Sequence, residues 1–286
     1  MKAHRLQFPI EVMSRALDVA RSGYYAWCHR EPSARAQENE RLKVAIRVAH
    51  RRTRGVYGTR RLQPELAAEG FLAGRERISR LRKEMGLGCK QKRRFKATTN
   101  SDHSLPVAPN LLGQDFHTTR PGEVWVADIT AIATGEGWLY LAGIKDLHSC
   151  ELVGYAMSAR MTQELTGQAL CRAVRAHRPP AGLIHHSDRG GQYCALNYRR
   201  LRKQFRMQVS MSRRGNCYDN APMESFWGSL KNELVHHRHY ATRAEAEASI
   251  REYIEIFYNR QRRQKRLGYL SPAGFEQQYF KELRAA

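Results

Sequence analysis

Hydrophobic positions along this 286-residue chain follow two different periods. Through roughly the first hundred residues, apolar side chains recur every three to four positions, the repeat of an amphipathic helix. "VMSRALDVARSGYYAW" (12–27) reads as short helix, turn, short helix, and "ERLKVAIRVAHRR" (40–52) places Leu42, Ile46 and Ala49 on one face. "TRRLQPELAAEG" runs from Leu62 to Leu66 and stops at Gly70, a suitable C-cap. "GRERISRLRKEMG" repeats the pattern with Ile78, Leu81 and Met85 and ends at Gly86. Two short arginine-studded helices joined by a tight turn predict a helix-turn-helix; a helical hairpin packed against the rest of the chain fits the same pattern.

Beyond "ATTNSDHSLPVAPN", which reads as a polar, proline-containing linker, the period changes. "EVWVADITAIAT", "GWLYLAGIKDL" and "CELVGYAMS" are strand-like runs whose short connections favour an antiparallel meander. A helix is expected from Thr162, with Leu165, Ala169, Ala173 and Val174 as its apolar stripe. "GLIHHS" reads as a buried fourth strand, about 195–205 as a helix and "MQVSMS" as a fifth strand. A longer helix starts near Pro222, with Asp219 or Asn220 as its cap and Met223, Trp227, Leu230 and Leu234 as its stripe. Later, "TRAEAEASIREYIEIFYN" shows a Thr242–Glu245 capping box and a core stripe of Ile250, Tyr253, Ile254 and Phe257, and Tyr269 and Phe275 are expected to dock the tail. Three meandering strands followed by strands alternating with helices make a mixed α/β layer fold. The domains expected are a helical region over 1–97 whose helix-turn-helix pattern suits DNA, a linker over 98–115, and a mixed α/β domain over 116–280 with a helical, basic C-terminal extension.

Charge narrows the partner. The formal net charge is +22, and residues 1–120 carry +14 of it. So large a surplus repels itself in a compact fold, which makes a polyanion the natural partner. "KQKRRFK" (90–96) and "RQRRQKR" (260–266) each hold five basic residues. Arg93, Arg94, Arg262 and Arg263 are thus candidate contacts to phosphate. The six cysteines are scattered without a CxxC pair, which fits a reducing cytoplasm better than a zinc finger or a disulfide framework. No secretory h-region opens the chain and no run of 18 apolar residues crosses a membrane.

Three carboxylates then stand out. Asp128 lies among apolar neighbours in the first strand, where burial is costly without a metal or a cation. Asp188 ends the fourth strand, which crossover rules make a parallel neighbour of the first. Glu224 borders the buried stripe of its helix, and Lys231 follows two turns later on the same face. Converging carboxylates without cysteine are hard oxygen ligands suited to Mg²⁺ or Mn²⁺, two of which can serve an in-line phosphoryl displacement. His185 and His186 are adjacent on a strand and point to opposite faces, so they read as structural rather than as joint ligands of one ion. Arg189 either touches phosphate or steadies the aspartate.

Asp188 and Glu224 have 35 residues between them. That spacing, with "VWVADIT", "GWLYLA", "HSDRGGQY", "RRGNCYDNAPMESFWGSLKNEL" and "FYNRQRRQKRLGYLSPAGFE" in order, resembles the OrfB-type transposases of the IS-three group of bacterial insertion sequences, from about residue 8 to 280. The resemblance implies an RNase H-like, retroviral-integrase-like core: a five-stranded mixed sheet with helices. It makes Asp128, Asp188 and Glu224 the metal-binding catalytic triad and Lys231 a contact to DNA near the cleaved end. It further implies cleavage at the element's terminal inverted repeats, transfer of the freed 3′-hydroxyl to another phosphodiester, synapsis by at least a dimer, and an OrfA partner joined by frameshifting. Ala127 and Gly191 depart from the family's frequent threonine and serine. Three rivals are a non-catalytic DNA-binding repressor, an RNase H-like nuclease without strand transfer, and a tyrosine recombinase.

Overall fold

The computed structural model of the protein describes residues 1–90 and 107–285. Five helices occupy the first part: α1 (Ile10–Ala16), α2 (Arg21–His29), α3 (Ala34–Arg52), α4 (Thr59–Ala67) and α5 (Arg75–Glu84). α3 begins eight residues before the first residue of its apolar stripe, because the Ser33 hydroxyl accepts the Ala36 N–H and caps it. Leu42, Ile46 and Ala49 of α3 pack with Leu62 and Leu66 of α4 and Ile78 and Leu81 of α5. Gly70 and Gly86 follow α4 and α5 with φ of +86° and +66°, the left-handed turn that ends a helix without a Cβ penalty. The helix-turn-helix-like pair is therefore real, and it also packs against the rest of the chain.

The sheet runs in the order β3-β2-β1-β4-β5, built from β1 (Val124–Thr134), β2 (Gly137–Asp146), β3 (Leu152–Ser158), β4 (Ile184–Ser187) and β5 (Gln208–Met211). Short connections make β1, β2 and β3 an antiparallel meander. Helical crossovers return the chain so that β4 pairs parallel with β1, and β5 with β4. β1 is the central strand and is buried on both faces, with alternate residues feeding two cores. Trp125 and Ala127 face α6 (Gln163–His177), the short α7 (Gly191–Cys194) and α8 (Leu196–Gln204), which contribute Leu165, Ala169, Ala173, Tyr193 and Tyr198. Val124, Val126 and Ile132 face the opposite layer, α9 (Ala221–Glu233) and α10 (Arg243–Glu252), with Met223, Phe226, Trp227, Leu230 and Ile250. This is the three-layer arrangement expected of an RNase H-like core.

Thr242 caps α10 by accepting the Glu245 N–H, while Glu245 reaches back to the Ala241 N–H, one residue before the expected partner. α10 continues through Tyr253–Gln261 with wider, π-type winding, and Tyr253, Ile254 and Phe257 are buried as predicted. α11 (Pro272–Ala285) closes the chain, and Phe275 lays its ring against His148, 5.3 Å between centroids. Among the described residues, no helix is long and apolar enough to cross a membrane.

The α6 layer approaches β3 at Gly154, where a Cβ would stand 2.5 Å from Ala173 Cβ and 2.6 Å from the Ala169 carbonyl oxygen. Both atoms belong to α6, one of them to its backbone, so there is no flexible side chain to give way. Gly154→Ala is expected to destabilise the protein by about 1–3 kcal/mol, read as a lowered urea midpoint; an unchanged midpoint would contradict this packing.

Candidate active site

Strand pairing places the first two carboxylates side by side. Asp128 follows Ala127, which pairs with Ser187 across the β1–β4 ladder, and Asp188 follows Ser187. Asp188 therefore leaves the sheet at the level where Asp128 stands within β1. Asp128 is partly buried: its Oδ1 accepts the Ile129 N–H at 2.8 Å and its Oδ2 accepts the Trp227 indole N–H at 3.0 Å. Burial, then the negative charge of Asp188 and more weakly that of Glu224, push its carboxyl up to about 7, against the pull of those two hydrogen bonds. Asp188 Oδ1 accepts the Gly190 N–H at 2.9 Å. A Cβ on Gly190 would sit 3.0 Å from that same oxygen, so glycine is what lets the loop fold back on the carboxylate.

Glu224 lies in the first turn of α9. That helix is pinned to the sheet at its start: Asn220 Nδ2 donates to the Ala127 carbonyl at 3.1 Å, and buried Lys145 donates to the Pro222 carbonyl at 3.1 Å. Neither Asp219 nor Asn220 caps the helix by a side-chain hydrogen bond, which corrects the expectation from sequence. Asp219 is buried and accepts from Arg213, Asn110 and Gln114, and the Arg213 guanidinium holds its carboxyl well below the usual range. It thus ties the segment entering the sheet to the start of α9. Glu224 itself is exposed, and partial desolvation raises its pKa. Lys231 feels the Asp128 charge from two turns along α9, while its own burial lowers its pKa.

The gathering is incomplete. Among the described residues, the one group of three His, Cys, Asp or Glu side chains with ligand atoms all within 4.8 Å of one another is Glu151, His177 and Glu276. It shares no residue with Asp128, Asp188 and Glu224, whose own spacing is wider. The aspartates are set by strand register, whereas Glu224 stands on a solvent-facing helical turn. The donor set, oxygen only, fits a hard divalent cation, and a cation between the aspartates would relieve the repulsion that raises Asp128.

Family comparisons agree with this layout. An HTH-like domain model matches residues 37–95, and integrase core domain models match 118–217 and 224–280. The "Insertion element IS600 uncharacterized 31 kDa protein" of Shigella sonnei is 64% identical over 93% of this chain and 98% of its own length. The "Transposase InsF for insertion sequence IS3A" of Escherichia coli (strain K12) is 41% identical over 96% of each chain. The chain belongs to the IS3 family of insertion-sequence transposases. A solved HTLV-2 integrase catalytic core domain is a distant likeness, with a TM-score of 0.44 and 13% identity over 56% of this chain and 99% of that one.

In this IS3-family chain several arginines expected on DNA are found elsewhere. Arg262 is 5% exposed and forms a forked ion pair with Glu233, 2.7 Å at the closest approach. Arg263 pairs with Glu65 of α4 and donates to the Tyr269 carbonyl at 3.1 Å. Arg262 thus ties the C-terminal part to α9, and Arg263 ties it to α4 of the helical region. Composition could not separate them from surface arginines, because the partners are remote in sequence. Arg189 donates to the Ser212 carbonyl at 2.7 Å, which braces the loop carrying Asp188. Arg93 and Arg94 lie outside the described residues.

Trp227, Gly143 and Lys145 carry roles that the sequence reading missed. Trp227 had a signal, since a buried indole N–H needs an acceptor. His185 and His186 are fully buried on opposite faces, as expected from strand geometry. His185 Nε2 meets the Tyr198 hydroxyl at 2.9 Å, and His186 is held between Ser210 and Ser212 at 2.8 and 3.1 Å. Burial depresses their pKa values to about 3 and about 4.

Between these values and the unfolded pKa near 6.5, the unfolded chain binds more protons, so each histidine withdraws stability as pH falls through that window. His185→Gln is expected to give a shallower loss of urea midpoint between pH 7 and pH 5 than the parent protein shows. Equal slopes would place the acid sensitivity elsewhere.

Proposed function

We propose that the chain cleaves DNA at the ends of its own mobile element and joins the freed end to another DNA strand. The observation that carries this is the pair Asp128–Asp188, set side by side where β4 ends against the middle of β1, with Glu224 on the helix packed above. Their side chains would hold Mg²⁺ or Mn²⁺, two ions in the full reading. When bound, such ions activate the attacking oxygen and stabilise the leaving oxygen of a phosphodiester. In the first step water attacks the phosphodiester at the element's end, and its P–O3′ bond breaks to leave a free 3′-hydroxyl. In the second that hydroxyl attacks a phosphodiester of another strand, and that bond's own 3′-oxygen leaves.

The remaining assignments follow the same chemistry. Lys231, on the active-site face of α9, supplies a cation to a phosphate beside the reacting bond. Residues 1–97 form the unit that reads the terminal inverted repeats, 98–115 connect it, and 116–280 carry out the reaction. The +22 charge supports a nucleic-acid substrate. Two ends joined in one complex require at least two copies, and an OrfA-type partner supplies further DNA recognition.

Asp128→Asn, Asp188→Asn and Glu224→Gln are each expected to lower Mg²⁺-dependent cleavage and strand transfer by roughly three orders of magnitude or more. Binding of element-end DNA in a mobility-shift assay should stay near the parent level. Retained cleavage in any one of them overturns the triad. Cleavage without joined products assigns a nuclease instead.

A further inference from the structure

We infer that Trp227 is a positioning residue: its indole N–H fixes the rotation of the Asp128 carboxylate so that one open edge faces the reacting DNA. This deepens the proposed function and rests on Asp128 being a metal-holding residue. Each carboxylate oxygen of Asp128 has one donor, Ile129 N–H on Oδ1 at 2.8 Å and Trp227 Nε1–H on Oδ2 at 3.0 Å. Each oxygen can accept two hydrogen bonds, so one site per oxygen stays available to a cation. The terminal torsion of aspartate is broad and weakly restrained by its own chemistry. With the backbone donor alone the group can still turn; with two donors on separate oxygens its plane is set.

A second observation shows that the sheet is shaped for this contact. Gly143 is the residue directly opposite Asp128 in the β1–β2 ladder. A Cβ there would stand 2.8 Å from Trp227 Cη2, 3.2 Å from Leu152 Cδ1 and 3.3 Å from Met223 Cε. The space a cross-strand side chain would take is filled by the far edge of the indole, while its N–H reaches Asp128. Trp227 is buried and packs on Phe226, centroids 4.9 Å apart, so the ring has little freedom to withdraw. A tryptophan serving only as core filler would not need its nitrogen aimed at the one carboxylate in the central strand.

The test uses the full chain, first without metal. Above pH 8, where Asp128 is ionised, the indole N–H resonance of Trp227, identified by its loss in Trp227→Phe, is expected to shift upfield in Asp128→Asn, where a neutral amide replaces the charged acceptor. A resonance that does not move overturns the contact. Mn²⁺ binding by electron paramagnetic resonance is the second readout. Trp227→Phe keeps the ring and removes the donor, and should weaken Mn²⁺ binding roughly 10-fold to 100-fold. Normal Mn²⁺ binding by Trp227→Phe, with binding lost in Asp128→Asn, overturns the positioning role alone. Normal binding by Asp128→Asn itself overturns the functional reading on which it rests.

Discussion

Two carboxylates at adjacent positions of paired parallel strands repel each other, and much of the surrounding structure answers that repulsion. Asp128 is raised to about 7 by burial and by Asp188, and no substitution of backbone could move one without breaking the β1–β4 register. The protein offers partial compensation through N–H groups: Ile129 and Trp227 for one aspartate, Gly190 for the other. Lys231 adds a positive charge at the edge of the same site. The site is thus held short of electrostatic balance, the state a cation-binding pocket needs and a purely structural ion pair does not.

Holding it requires a rigid helix above the sheet. α9 is fixed by a polar pin at each of three levels: Asn220 to the β1 backbone, Lys145 to the Pro222 carbonyl, and Trp227 to Asp128. Below them Phe226 and Leu230 bury the helix in the core. At its far end Glu233 receives Arg262, and through Glu65 and Glu252 the arginines Arg263 and Arg54 extend this network into the helical region. Losing one partner of the buried Arg262–Glu233 pair would strand the other charge, which is why such pairs fix orientation more than they add stability. Part of the basic surplus therefore serves architecture, and the arginines that meet phosphate are to be sought among the rest.

The sequence revealed what depends on local period and missed what depends on register. Alternating apolar residues located β1 to β5, and one acidic residue inside such a run exposed Asp128. Asp188 was readable as a strand end and Glu224 as a residue bordering a stripe. Gly143 was not readable, because its meaning arises only when β1 and β2 pair so that it faces Asp128. Arg262 looked like its neighbours in a basic run, yet π-type winding in Tyr253–Gln261 brings it under Glu233. Of the two expected caps, Asp219 makes no cap for a related reason: an arginine six residues earlier and two amides distant in sequence take its oxygens.

The wider spacing of Glu224 follows from the same division of labour. Strand register gives the aspartates their places, and the Ile129 and Trp227 N–H groups each take one site on a different Asp128 oxygen. Glu224 has neither constraint; it rises from an exposed helical turn on a side chain with three torsions. Three carboxylates fully converged and empty would place a third negative charge where two already conflict. Keeping the longest of them on the exposed side of its helix spares the folded chain that added repulsion.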